Sequence, residues 1–264
     1  MDRAEYRRQL KLDEKSIAKG IDSSKLDADQ IVSLMRVIRD KLRGCLSRSS
    51  VTSLMYYLYQ NVNLGAKHIA DAPISCTKGC SHCCNIWVDA TPPEVFYTAS
   101  AIRSQKRQVN ALTSVEVAIA TTGGLSFDGR GDVVTPCPLL DNNLCSVYDA
   151  RPINCRTAVS ADAGVCERSY LHISGEDIPT PVVWMALRQG YGFALEGALH
   201  HAGLVPHAVE WNEALRIALT APDTEARWLA GEDVFAGVAR ATDEPLVQNP
   251  QLRELYREAF GVAP

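Results

Sequence analysis

Residues 74–86 read ISCTKGCSHCCNI and place four of the nine cysteines in the chain within a few positions of one another. The four are Cys76, Cys80, Cys83 and Cys84, in the pattern C-x3-C-x2-C-C. Their thiols can converge on one centre only if the backbone turns tightly, and Gly79 tolerates the positive φ that such a turn needs. Side chains of consecutive residues tend to diverge, so the adjacent pair favours two metals or a cluster over a single small ion.

A second cysteine-rich stretch, residues 137–156, reads CPLLDNNLCSVYDARPINCR. Apolar residues alternate on both sides of the triplet at 141–143, which predicts a hairpin with Cys137 and Cys145 near its open end. Two thiols of this block can then face one site.

The end of this block brings basic residues next to a third cysteine. Arg151 precedes a proline and is therefore expected to be extended, and the segment after it carries Cys155 with Arg156 beside it. Cys166 follows eleven residues after Cys155. The sequence leaves two interpretations of Cys166 open, a metal ligand and a buried or spare thiol.

Composition limits the class of protein. The chain has 264 residues, 46% of them hydrophobic, which is long enough for one large domain or two small ones and excludes disordered and fibrous classes. The net charge of −4 lacks the basic excess of a nucleic-acid binder. We find no apolar run long enough for a membrane span and no secretion signal in MDRAEYRRQLKLDEK, so we expect a cytoplasmic protein.

The odd number of cysteines, in a chain expected to occupy a reducing compartment, favours metal ligation over a disulfide framework. Cys45 is the exception, because it lies on a predicted helix far from the other thiols and is expected to be a small buried residue.

Periodicity predicts a mainly α fold, with a helical scaffold around an irregular cysteine-rich metal-binding centre that contains a small hairpin. We divide the chain into an N-terminal helical segment (1–72), the cysteine-cluster domain (73–170) and a C-terminal helical segment (171–264), the last forming one unit with the centre. Thr91, followed by Pro92, Pro93 and Glu94, is a strong helix start. The predicted helices are 27–46, with Asp27 and Asp29 as candidate N-caps, and 50–70, 92–106, 181–202, 208–220, 223–229 and 251–260.

Three other features have ordinary explanations. Residues 121–136 contain four glycines and are expected to form a surface connection, because no strand-turn-helix context supports a phosphate cradle. His82 is expected to be a polar residue exposed by the turn. His200 and His201 are expected to form a surface or satisfied-core pair, because no further ligand occurs at metal spacing.

The two cysteine blocks together resemble the YkgJ-type cysteine-cluster family, which is described as a zinc- or iron-chelating domain and is related to flagellin lysine N-methylases. The resemblance covers about 73–160, and its usual first block is C-x2-C-x2-C-C, one residue shorter than here. It implies metal binding by seven cysteines; Cys166 lies outside the motif. The seven are Cys76, Cys80, Cys83, Cys84, Cys137, Cys145 and Cys155.

The resemblance also implies a reaction. The methylase branch is associated with a four-iron cluster, so we favour an iron-sulfur cluster, 4Fe-4S, over zinc. It further implies S-adenosylmethionine as cosubstrate and methyl transfer to an amine of a protein or peptide. Arg151 and Arg156 are candidates to bind a cosubstrate carboxylate, or else to neutralise the thiolates.

Two alternatives remain open at this point. A non-catalytic zinc site would fold the domain and leave the outer helices to bind a partner. The spacing C-x3-C-x2-C also occurs in radical S-adenosylmethionine enzymes, although those place it after the first strand of a repeated strand-helix barrel, and no such repeat is present here.

Overall fold

Helices dominate the part of the chain that the structure describes. The structure is a computed structural model, and it describes residues 3–17, 28–126, 129–130, 133–171, 175–240 and 249–264. These residues form eleven α-helices and two very short strand pairs, which confirms the prediction of a mainly α fold with a small hairpin. The helices are α1 (Arg3–Ile17), α2 (Ala28–Arg48), α3 (Thr52–His68), α4 (Pro92–Ser104), α5 (Gln108–Thr122), α6 (Ile153–Thr157), α7 (Ala163–Tyr170), α8 (Val182–His201), α9 (Trp211–Thr220), α10 (Thr224–Leu229) and α11 (Pro250–Phe260).

The strands are two residues long each. Strand β1 (Asp89–Ala90) pairs antiparallel with β4 (Val209–Glu210) and ties the cysteine-rich centre to the C-terminal helices. Strand β2 (Leu140–Asp141) pairs antiparallel with β3 (Leu144–Cys145), so that Leu140 lies opposite Cys145. The turn between them has positive φ at both central residues, 50° and 62°, which asparagine tolerates well.

The core is built around the pair α2 and α8. Gly197 of α8 faces Met35 of α2, and an added Cβ would lie only 3.1 Å from the Met35 Cε, so glycine permits this close approach. The buried Tyr191 hydroxyl of α8 donates to the carbonyl of Asn61 in α3 at 2.7 Å. Helices α1, α3 and α11 pack against α2 and complete this part of the core.

A second group of helices lies against α4. Helix α9 packs on both α4 and α5, and α10 also contacts α4. Phe96 of α4 meets Trp228 of α10 and Phe235 at ring-centroid distances of 5.7 and 5.6 Å. One continuous hydrophobic core includes buried residues from both groups of helices and from the cysteine-rich segment.

Helix α5 was not predicted from the sequence. The sequence analysis placed no helix between residues 106 and 121 and began a surface loop at residue 121, and this prediction is wrong. The helix extends to Thr122 and buries Ala111, Val115 and Ala118 at helical spacing. Val109 and Val117, however, are 77% and 68% exposed, and these two apolar residues on the outer face obscure the amphipathic pattern. Residues 127, 128, 131 and 132 of the predicted loop lie outside the described residues.

Other boundaries differ by smaller amounts. The helix predicted from 208 begins only at Trp211, because residues 209 and 210 form β4 and the Glu210 side chain caps α9 by accepting from the Glu213 N–H at 2.7 Å. Helices α6 and α7 were not predicted, since five and eight residues are too few to show a period. Asp27 lies outside the described residues, and Asp29 lies in the first turn of α2.

Two simpler expectations hold. Cys45 is completely buried in the α2 core, as predicted. Across the described part of the chain, no helix combines the length and the apolar character that a transmembrane span requires.

Candidate metal centre

The first cysteine block folds as a turn followed by a short 3₁₀ helix. The Cys80 N–H donates to the Thr77 carbonyl at 3.0 Å, and Gly79 has φ of +88°, which confirms the expected use of this glycine. The 3₁₀ helix (His82–Asn85) then carries the adjacent pair Cys83 and Cys84. The backbone therefore folds back within nine residues and gathers the four thiols on one short segment.

The adjacent thiols of Cys83 and Cys84 lie close to each other on this 3₁₀ helix. These two side chains share a hydrogen bond, which together with burial raises the pKa of Cys83. The 3₁₀ helix is tighter than an extended segment and turns consecutive side chains less far apart. The pair can therefore act on one centre.

The structure brings the second block against the first. The Cys137 N–H donates to the Cys84 carbonyl at 2.7 Å, and the Ser81 hydroxyl donates to the Asn143 side chain at 3.2 Å. Cys83 interacts electrostatically with Cys137 and with Cys155. Segments whose cysteines are more than 50 residues apart in sequence are thus brought together, with Cys84 and Cys137 in direct backbone contact.

Cys166 joins the thiols from the other side. The Ser160 N–H donates to the Cys76 sulfur at 3.4 Å, and the Ser160 side chain hydrogen-bonds to Cys166. Cys166 is only 6% exposed, and its electrostatic partners include Cys80 and Cys83. Helix α7, which carries it, packs on the 3₁₀ helix of the first block. The structure therefore places this cysteine beside the first block, and its burial is compatible both with a ligand role and with a buried thiol.

Cys155 lies on the five-residue helix α6, whose first turn is held by a buried carboxylate. Glu94 accepts from the Ile153 N–H at 2.7 Å through one oxygen, and from the Thr91 N–H and hydroxyl, each at 2.8 Å, through the other. The Thr91 contacts form the capping box of α4 that the sequence predicted as a helix start. Burial raises the pKa of Glu94, and these hydrogen bonds oppose the shift.

The last turn of α6 is held by Arg188, which the sequence analysis did not single out. Its Nε donates to the Thr157 hydroxyl at 2.9 Å and its Nη2 donates to the Thr157 carbonyl at 3.1 Å. Burial lowers the pKa of Arg188, and its electrostatic partners include Cys155 and Cys83. The sequence contains no motif that connects this arginine with the cysteines. Arg188 lies on α8, 22 residues after Cys166.

The two predicted arginines have different surroundings. Arg151 is extended, as predicted before a proline, stacks over the Tyr148 ring at 3.7 Å and interacts electrostatically with Cys83, Cys145 and Cys155. Within the described residues its buried Nε has no hydrogen-bond partner.

Arg156 mostly faces away from the thiols. It lies over the Tyr59 ring at 3.9 Å and donates to the Asn63 side chain at 3.3 Å and to the Asp149 carbonyl. These contacts tie α6 to α3, which is a structural role. Cys145 is the thiol whose electrostatic partners include Arg156.

All nine cysteines are free thiols, and those of the two blocks are half-buried. Burial is the main reason that the pKa values of Cys76, Cys145, Cys155 and Cys166 are raised, and it raises the pKa of Cys137 to about 12. Neutral thiols are therefore favoured here, and a cation is needed to convert the cluster into thiolates.

The donor set fits a soft metal. It consists of thiols only, and Arg151, whose buried Nε has no hydrogen-bond partner among the described residues, is an electrostatic partner of Cys155. In the described ranges no three His, Cys, Asp or Glu side chains are already arranged as ligands of one ion. The sulfurs must therefore re-orient to ligate a metal together.

The histidines do not add ligands to this set. His82 is half-buried in the 3₁₀ helix, so it is less exposed than expected. His201 stacks on Phe260 at 4.0 Å, and both His200 and His201 contact the Tyr256 ring. The histidine pair is thus packed against α11, as the satisfied-core interpretation predicted.

Comparison with known proteins agrees with this description of the centre. Residues 75–172 match the family model described as "CxxCxxCC: Putative zinc- or iron-chelating domain", which confirms the resemblance found in the sequence. The match includes Cys166. No curated protein and no solved structure matches the chain. The cysteine-rich segment is thus similar to this chelating domain, and helices from outside the match pack around it.

Proposed function

We propose that the thiols of both cysteine blocks, together with Cys166, hold an iron-sulfur cluster, of the 4Fe-4S type. The observation that supports this proposal is the hydrogen bond that joins the two blocks at Cys84 and Cys137, together with the packing of α7 on the first block. Neither block alone supplies a conventional closed site that uses all of its thiols. Eight cysteines lie between 76 and 166, and since one 4Fe-4S cluster takes four of them, as a closed tetrahedral zinc site does, the other thiols would be available to a second centre.

The surrounding residues have defined tasks in this proposal. Glu94 and Arg188 hold the two ends of α6 and so fix Cys155, and Ser160 fixes Cys76 and Cys166 relative to each other. Arg151 offsets the negative charge of the thiolates. When bound, an iron-sulfur cluster supplies one-electron chemistry or an iron site that a substrate can reach.

The alternative is a closed zinc site with a structural role, for which the same thiols are suitable ligands. Metal analysis of the purified protein distinguishes iron from zinc. Protein purified anaerobically is expected to be coloured and to contain iron and acid-labile sulfide, and a colourless protein with stoichiometric zinc would favour the alternative.

Alanine variants connect the metal to the thiols. Cys80→Ala and Cys145→Ala should each lower the iron content by more than half, because each block would lose one ligand. Cys45→Ala is the matched control, since this buried cysteine belongs to the α2 core and should leave the metal content unchanged. Full metal content in both cluster variants would contradict the proposal.

Methyl transfer from S-adenosylmethionine to an amine of a protein or peptide stays a prediction from the family resemblance. A radical S-adenosylmethionine enzyme is less compatible with this fold, because the described residues contain no parallel strands and no strand-helix repeat. Calorimetric titration of the cluster-loaded protein with S-adenosylmethionine, repeated on Cys83→Ala, tests the reaction class. Absence of binding in both would leave a metal protein without this cosubstrate.

A further inference from the structure

Arg188 reaches the cysteine centre from outside the segment that the family model matches. It belongs to α8, whereas the match ends at residue 172. Its guanidinium group donates two hydrogen bonds to Thr157, at 2.9 Å to the hydroxyl and 3.1 Å to the carbonyl. Thr157 is completely buried and is the last residue of α6, the helix that carries Cys155.

The two ends of α6 are therefore held by groups of opposite charge. The Glu94 carboxylate accepts from the N–H at the start of this helix, and the Arg188 guanidinium donates to the carbonyl at its end. A negative group at the N-terminus and a positive group at the C-terminus both complement the helix dipole. This arrangement restricts where the Cys155 sulfur can lie.

The charge of Arg188 also influences the thiols electrostatically. Cys155 and Cys83, one thiol from each block, are among its electrostatic partners, along with Tyr170 and Asp89. In the described part of the chain, its hydrogen bonds go to Thr157 and none goes to a carboxylate. Asp89 is the carboxylate among these partners, and ionised thiols would add negative charge that the half-buried guanidinium group offsets.

We propose that Arg188 is a positioning residue and charge partner of the thiolate centre, and that α8 thereby completes a metal site whose ligands all lie in the matched segment. This inference rests on the proposed metal binding. It assigns a task to the C-terminal helices, because without α8 the centre would lose the group that fixes α6 and compensates thiolate charge. Partners of this kind around metal ligands contribute strongly to affinity.

The test is a titration of the reduced, metal-free full-length protein with Co²⁺ in competition with a chelator, followed by the sulfur-to-cobalt charge-transfer band. The variants are Arg188→Gln and Arg188→Lys. The control is Arg103→Gln, because Arg103 is a similarly half-buried arginine that donates to a backbone carbonyl, that of Ala218, and joins α4 to α9 instead. Iron retained per chain after anaerobic reconstitution with iron and sulfide provides a second readout.

Arg188→Gln should weaken Co²⁺ binding about 10- to 100-fold and lower iron retention, whereas Arg103→Gln should match the wild type. Arg188→Lys keeps the charge but cannot make the paired hydrogen bonds to Thr157, so it should recover only part of the affinity that Arg188→Gln loses. Equal losses in the glutamine and lysine variants, in parallel with equal losses of melting temperature, would show a structural role alone and overturn the inference. A wild-type protein with neither a cobalt band nor retained iron would instead contradict the proposed function.

Discussion

Glu196 on α8 is a half-buried acid. In the described part of the chain its buried Oε1 has no hydrogen-bond partner. Burial alone raises its pKa from 4.5 to about 7. A raised pKa in the folded state means that the fold binds this proton more tightly than the unfolded chain does. The tighter binding of this proton by Glu196 therefore contributes fully to the stability of the fold below pH 4.5. This contribution is lost as the pH rises through about 7.

Glu196→Gln should stabilise the protein at pH 8.5 and have little effect at pH 5. The neutral amide removes the cost of burying a carboxylate, which we expect to be about 1–2 kcal/mol after allowing for partial exposure. Urea unfolding at the two pH values measures this difference. The control is Glu116→Gln, at an exposed position of α5. This variant should leave the free energy of unfolding unchanged at both pH values. Equal effects of Glu196→Gln at both pH values would contradict the assignment of the shift to burial.

At the scale of single elements, two glycines offer the same substitution with opposite expected results. Gly79 has φ of +88° in the turn of the first cysteine block, whereas Gly44 lies within α2. An added Cβ would meet no atom within 4 Å at either position. The backbone conformation alone therefore decides the outcome.

Gly79→Ala should destabilise the metal-free protein by about 1–2 kcal/mol, because alanine is strained at positive φ. Gly44→Ala should stabilise it by about 0.5–1 kcal/mol, because alanine loses less entropy in a helix. Chemical denaturation of both variants measures the two changes. A neutral or stabilising result for Gly79→Ala would show that the turn adopts another conformation.

At the scale of the whole molecule, the thiols link parts of the chain that are distant in sequence. Ser75 pairs with Ser160 through a 2.8 Å backbone hydrogen bond, and Cys137 pairs with Cys84. A metal that joins these parts stabilises the folded state, because the unfolded chain does not present the same site. We therefore expect metal removal to destabilise the cysteine-rich segment and to leave the packing of α2 and α8 intact.

Chelation is expected to lower the melting temperature by roughly 10 °C, which corresponds to about 4 kcal/mol for a metal present at a thousand times its Kd. Calorimetry before and after chelation, and after metal is added back, gives this shift. Amide exchange should accelerate within 75–172, while the interface of α2 and α8 stays protected. Identical melting curves with and without metal would rule out a role of the metal in folding.

Local interactions account for what could be predicted from the sequence. The capping box of Thr91 and Glu94, the hairpin turn at Asn142 and Asn143 and the positive φ of Gly79 each depend on a few consecutive residues. The cysteine blocks are equally local, which is why their spacing alone showed the resemblance that the family model bears out. Helix α5 was missed, because the exposed Val109 and Val117 conceal its buried face.

The sequence by itself determined the mainly α fold, the two cysteine blocks and the thiol chemistry, because propensity, capping and ligand type are properties of short segments. Only the tertiary structure decided that the blocks meet at Cys84 and Cys137, that Cys166 lies beside them and that Arg188 holds the end of α6. Arg188 and Thr157 are 31 residues apart, and Glu94 and Ile153 are 59 apart. Such contacts depend on how complete helices pack, and packing sums many weak interactions that no short stretch of sequence contains.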